Sequence, residues 1–173
     1  MTAAPILLTS FQSWRSHQRS NSSDDLLCAL QSQGRLPANS ILLRNLPVSF
    51  DLAPIEVSSE LRRQKPRAVV CCGMAEKRAY LSWEQQAKRA GRQTLQTSFN
   101  LKRLIYQTQL SQISYDAGSY VCNHLYYSVL EAAFAQHELP SVVFAHVPVL
   151  RASTRRFIQR DFFKILHRIA NQI

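Results

Sequence analysis

Ala68-Val69-Val70-Cys71-Cys72 is an unbroken apolar run that stops at Gly73. A strand with one face in water would alternate apolar and polar residues. An unbroken run suits a strand covered on both faces, as in a parallel sheet layered between helices. Three other segments read as strands: Ile6-Leu7-Leu8, the stretch 40–47 with Ile41-Leu42-Leu43, and 141–147 with Val142-Val143-Phe144. Helical patterns lie between them. One covers 25–33, capped by Ser23 or Asp24 and closed by Gly34. Pro54 opens another that runs to 64, with Ile55, Leu61 and the Ser58-Ser59 pair turned inward. A third, capped by Ser98 or Asn100, carries Leu101, Leu104, Ile105 and Leu110. Residues 121–136 form a strong helix candidate. Ser153 or Thr154 opens the last helix, with Phe157, Ile158, Phe162, Ile165, Leu166 and Ile169 inward and Arg155, Arg156, Lys164 and Arg168 toward solvent. Alternation of this kind predicts a three-layer α/β domain without internal repeats.

Composition narrows the function. The chain has 173 residues, 46% of them hydrophobic. That suits one domain over 1–173 whose core needs no disulfide or metal staple. Four cysteines, with Cys71 and Cys72 adjacent, do not make a disulfide framework, and a reducing cytoplasm is the expected location. The N-terminus lacks the basic-then-apolar pattern of a secretory leader, and no apolar run is long enough to span a membrane. Net charge is +10, concentrated at Arg62-Arg63-Gln64-Lys65-Pro66-Arg67 and in 151–168, where six Lys/Arg face only Asp161. No finger, helix-turn-helix or aromatic RNA-binding signature accompanies it. A basic solvated face is expected, and specific nucleic-acid recognition is not.

Cys122 follows the loop 116–120 and opens a helical run. Unpaired N–H groups and the positive dipole end at that place favour a thiolate and can stabilise an oxyanion beside the sulfur. A lowered thiol pKa is the expectation; the alternative is a small core cysteine. His146 lies near the carboxyl end of a strand, where open α/β sheets place their ligand crevices, and can serve as base. A core histidine bonded to backbone is its alternative. His124 is two residues from Cys122 and faces elsewhere on a helix. Glu84, in Ser82-Trp83-Glu84, can orient an imidazole; read alone it is an exposed charge or the start of a helix. No metal is expected, because neither Cys71-Cys72 nor Cys122-Asn123-His124 has zinc-ligand spacing. No cofactor is expected either: phosphate-loop, dinucleotide and serine-elbow motifs are absent.

Three segments together resemble the pyroglutamyl peptidase type I family, also called pyrrolidone-carboxylate peptidases. Tyr115-Asp116-Ala117-Gly118-Ser119-Tyr120-Val121-Cys122-Asn123-His124-Leu125-Tyr126-Tyr127 is similar to the family's nucleophile segment, with its A-G-x-Y/F-V-C-N core. Phe144-Ala145-His146-Val147-Pro148 resembles the segment bearing the family's histidine. Gly73, Ala75, Arg78, Leu81, Glu84 and Ala87 fit a G-x-A-x-x-R-x-x-I-x-x-E-x-x-A frame. The resemblance implies a single three-layer α/β/α domain with a twisted, mostly parallel, mixed sheet. It also implies a cysteine peptidase that removes an N-terminal pyroglutamyl residue from a small peptide or amide. Cys122 would be nucleophile, His146 base and Glu84 its orienter. Phe11, Trp14, Met74, Arg78 and Val121 would bound the substrate, and assembly into a homo-oligomer fits the resemblance.

The chain departs from the pattern as well. It is shorter than the family's usual length, with the deficit between Glu84 and Cys122, where family members carry a substrate-covering segment. Ser10, Arg15-Ser16 and Glu76-Lys77 replace glycines; Met74 replaces a common Gln and Arg89 a common Asn. Altered or weakened specificity follows from these changes. The competing reading is a non-catalytic binding or scaffold protein that keeps the fold.

Overall fold

A computed structural model describes residues 4–134 and 140–172. In chain order the elements are β1 (Ile6–Phe11), α1 (Ser22–Ser32), β2 (Ser40–Leu46), α2 (Leu52–Gln64) and β3 (Ala68–Met74). There follow β4 (Leu81–Glu84), β5 (Gln86–Ala87), β6 (Leu95–Gln96), α3 (Leu101–Leu104) and β7 (Ser111–Ser114). The last are α4 (Val121–Phe134), β8 (Ser141–Val147) and α5 (Arg155–Gln172).

Six strands form one sheet in the order β2-β1-β3-β8-β4-β7. β2, β1, β3 and β8 are mutually parallel, whereas β4 runs antiparallel to β8 and parallel to β7. The sheet is therefore mixed and mostly parallel, with helices on both faces, as in a three-layer α/β/α domain. Alternation along the strands sends Ile6, Leu8, Val70, Cys72, Val143 and Ala145 toward α1 and α5. Leu7, Val69, Cys71, Val142 and Phe144 go toward α2 and α4. Both sets are buried, which is why β3 and β8 read as continuous apolar runs.

The helices differ in detail from the sequence expectation. α1 begins at Ser22, because Asn21 caps it by accepting from the Ser23 N–H at 3.0 Å. On α2 the buried stripe is Ala53, Val57 and Leu61, spaced i, i+4, i+8; Ile55 is 62% exposed rather than inward. The expected helix around Leu101 is only one turn, capped by Asn100. Its last apolar residue, Leu110, instead leads into β7. The end of the run 121–136 lies outside the described residues.

On α5, Ile158, Phe162, Ile165, Leu166 and Ile169 are fully buried, and Phe157 is half-buried. Phe162 stacks on Trp83 with ring centroids 5.6 Å apart. Arg168 is not simply solvated, since it donates to the Leu104 and Tyr106 carbonyls at 2.6 Å each and ties off the end of α3. Asp161, the lone acid among these cations, is buried and accepts from Gln109 N, Leu110 N and Ser111 Oγ. It thereby fixes the entry to β7. No helix among the described residues is long and apolar enough to cross a membrane.

Candidate active site

The carboxyl ends of β1, β3 and β8 meet the amino end of α4. Phe11 closes β1, Met74 closes β3, and His146 is the penultimate residue of β8. Cys122 is the second residue of α4. The loop before it turns at Gly118, whose φ of 78° is left-handed and suits glycine; the Gly118 N–H donates to Asp116 Oδ1 at 3.1 Å. Asn123 fastens the first turn of α4 to Lys88: its amide donates to the Lys88 carbonyl at 2.6 Å and accepts from the Lys88 N–H at 2.9 Å.

Sheet register explains how Glu84 reaches His146. In the antiparallel β4–β8 pair, Ser82 lies opposite His146 and Glu84 opposite Phe144. Directly opposed residues share a face, so Glu84 and His146 are diagonal neighbours on the α4 side. Nδ1 of His146 lies 2.7 Å from Glu84 Oε1, with Glu84 fully buried and His146 5% exposed. An ionised carboxylate can only accept, so Nδ1 is the donor of this pair, and in a neutral imidazole Nε2 is then the acceptor. Glu84 is thus neither an exposed charge nor a helix start. Arg78 Nη1 donates to the same Oε1 at 2.7 Å, and Arg78 Nη2 to the Asp116 carbonyl at 2.8 Å. Tyr126 of α4 donates to the Glu84 backbone carbonyl at 2.9 Å.

Gly73 of β3 is the register partner of His146. A Cβ there would stand 2.6 Å from Cys122 Sγ and 2.9 Å from Phe144 Cζ. The missing side chain lets the thiol settle against the sheet beside the imidazole strand. Cys122 and His146 line one cavity, without a closed hydrogen bond between sulfur and ring. The thiol does not follow the sequence expectation of a lowered pKa. Burial foremost, and then the negative charge of Glu84, push it up to about 12; its own backbone N–H and Arg78 act in the opposite direction. Burial likewise raises the thiols of Cys71 and Cys72.

The cavity measures about 310 Å³ and is lined by Phe11, Trp14, Met74, Arg78, Val121, Cys122 and His146. Every residue assigned to the substrate by resemblance is thus on its wall. Sequence reasoning missed Tyr120 and Ala117 there. Tyr120 stacks on Trp14 with centroids 5.1 Å apart, and Phe50 packs edge-on against Tyr120 at 5.9 Å. Glu76 was noticed only as a replaced glycine. Its carboxylate meets His17 Nε2 at 2.9 Å and Arg15 Nη1 at 3.5 Å, linking the Trp14 loop to the turn after β3. An aromatic directly before Val121-Cys122 was the available signal for Tyr120; nothing local pairs Glu76 with residues about sixty positions earlier.

A model of the pyroglutamyl peptidase family matches residues 96–158, which include Cys122 and His146. A pyrrolidone-carboxylate peptidase of Ralstonia nicotianae is 27% identical over 173 residues, covering 85% of this chain and 79% of that one. One from Bacillus velezensis is 22% identical over 174 residues, covering 86% and 80%. The crystal structure of pyroglutamyl peptidase I from Bacillus amyloliquefaciens superposes with a TM-score of 0.84, at 19% identity and 97% coverage of both chains. In its nucleophile motif, in the stretch 96–158 and in its fold, the chain is similar to the pyroglutamyl peptidase I family, from which it diverges in sequence.

Proposed function

We propose that the chain is a cysteine hydrolase that cleaves an N-terminal pyroglutamyl amide, with Cys122 as nucleophile, His146 as base and Glu84 as its orienter. The observation that carries this reading is the buried 2.7 Å Glu84–His146 pair facing the cavity that also holds Cys122 at the start of α4. Similarity to cysteine-type pyroglutamyl peptidases supports the reaction class.

Because the resting thiol is neutral, the nucleophile forms as its proton passes to His146 Nε2. The thiolate attacks the pyroglutamyl carbonyl. The Cys122 backbone N–H, at the unpaired end of α4, stabilises the oxyanion. Imidazolium returns the proton to the leaving amine, giving a thioester, and His146 then activates the water that hydrolyses it. Glu84 fixes the tautomer and stabilises imidazolium. Phe11, Trp14, Met74 and Val121 supply the apolar walls that a small neutral lactam needs, and the cavity volume lies at the small end for ligand sites.

A panel of chromogenic amides tests this. Pyroglutamyl amide is expected to be cleaved faster than alanyl or prolyl amide. Turnover is expected to be low, since the covering segment is shortened and misplacement of substrate costs about 100-fold. Faster cleavage of another amide would replace the substrate and keep the reaction class. No cleavage of any amide by the folded protein would favour the non-catalytic reading.

A further inference from the structure

We propose that Arg78, on the cavity wall, is a positioning residue that acts through Glu84, locking the Glu84–His146 pair to the loop that carries Cys122. The inference rests on the catalytic reading above and assigns Arg78 a different task from the one that family resemblance implied.

The guanidinium makes two short bonds in two directions, to Glu84 Oε1 at 2.7 Å and to the Asp116 carbonyl at 2.8 Å. The first holds the acceptor of the His146 proton. The second holds the turn just before Gly118, and hence the entry to α4. One side chain therefore spans the base side and the nucleophile side of the site. Glu84 needs such a partner. Its Oε1 serves both Arg78 and His146, while its Oε2 is buried without a hydrogen-bond partner. A buried, half-satisfied carboxylate is costly unless a cation is bonded to it.

Charge points the same way. The ionisable groups facing Glu84 are Arg78 from the turn after β3, His146 from β8, and Cys122 and Tyr126 from α4. Only Arg78 among them is permanently positive. It offsets the carboxylate at both His146 and Cys122. Without it, the buried carboxylate would lose its permanent countercharge and the base side its tie to the Cys122 loop.

Arg78→Gln and Arg78→Lys separate charge from bridging. In Arg78→Gln, the acidic limb of kcat/KM for pyroglutamyl amide should move to higher pH, because a permanent positive charge beside the Glu84–His146 pair is gone. The fall should be in kcat more than in KM. Arg78→Lys keeps the charge but not the two-way fork, so its limb should stay near the wild-type position while kcat still falls. NMR titration of the His146 imidazole without substrate should show the same upward shift in Arg78→Gln and its reversal in Arg78→Lys. If Arg78 only contacts substrate, Arg78→Gln will raise KM and leave both the limb and the His146 titration unmoved; that result overturns the proposal. If no amide is cleaved, the catalytic reading falls, and the His146 titration alone decides for or against the Arg78–Glu84 coupling. Should Arg78→Gln not fold, Arg78→Lys decides: lowered kcat with an unmoved limb supports the bridge, and raised KM with unchanged kcat overturns it.

Discussion

His146→Ala is expected to lower kcat/KM for pyroglutamyl amide by roughly 10²–10⁴-fold, the usual worth of a positioned general base. The loss should be at the upper end of that range. Burial and Glu84 hold the Cys122 thiol at about 12, so almost no thiolate exists near neutrality without a base to take the proton. The variant should recover rate as pH rises, because hydroxide can then do what the imidazole did. The Cys122 pKa is raised, so this recovery should continue well beyond pH 9 and approach its plateau only near 12. Glu84→Gln should cost less. It preserves size and an acceptor for Nδ1–H, but it removes the charge that supports imidazolium. Steady-state rates between pH 6 and 11 check both variants. A His146→Ala rate within a few-fold of wild type at neutral pH would show that another group takes the thiol proton.

Gly73→Ala is the second large effect. The new methyl would sit 2.6 Å from Cys122 Sγ and 2.9 Å from Phe144 Cζ. Phe144 is fully buried in the α2–α4 core and packs against Tyr126 and His146, so it has little room to move. Overpacking of this kind costs about 1–3 kcal/mol of stability. The thiol, at a partly exposed residue beside the cavity, is the easier group to displace. A shift of about 1 Å in the nucleophile can cost about 100-fold in rate. The expected result is a folded, moderately destabilised protein with a hundredfold loss in kcat/KM, measured by denaturant unfolding and initial rates on the same preparation. Wild-type activity with normal stability would mean that the thiol does not rest on Gly73. Ser10, Glu76 and Lys77 replace glycines of the family pattern, but Gly73 remains. The close approach of sulfur to strand backbone explains why this position tolerates no side chain.

Legibility in the sequence followed the physical origin of each feature. β3 and β8 were readable because burial on both faces leaves a continuous apolar run, and α5 because its inward residues keep helical spacing. β4 and β7 were missed. Each has only four residues, and Ser82, Glu84, Ser111 and Ser114 make them look like loops. Glu84 shows most sharply where local reading ends. Nothing near it in sequence says that a carboxylate there is fully buried. Arg78 and His146, six and 62 positions away, make the burial tolerable. Family resemblance supplied Glu84 where composition and periodicity could not. The Cys122 thiol shows the converse. Its place at a helix start was legible and argued for a lowered pKa, but the depth of the sulfur against Gly73 and the nearness of Glu84 were not, and those two outweigh its own backbone N–H and Arg78. On α2, Pro54 marked the first turn correctly. The helix phase was set by Ala53, Val57 and Leu61, which turns Ile55 outward.

The most direct test of the central claim is to quench the protein in acid during turnover of a pyroglutamyl amide and map the adduct by peptide mass analysis. The account predicts a pyroglutamyl thioester on the peptide containing Cys122 and on no other cysteine. It also predicts that Cys122→Ala, with its fold intact, forms no adduct and releases amine only at the uncatalysed rate. Sustained amine release by Cys122→Ala, or an adduct on Cys28, Cys71 or Cys72 in its place, would contradict it.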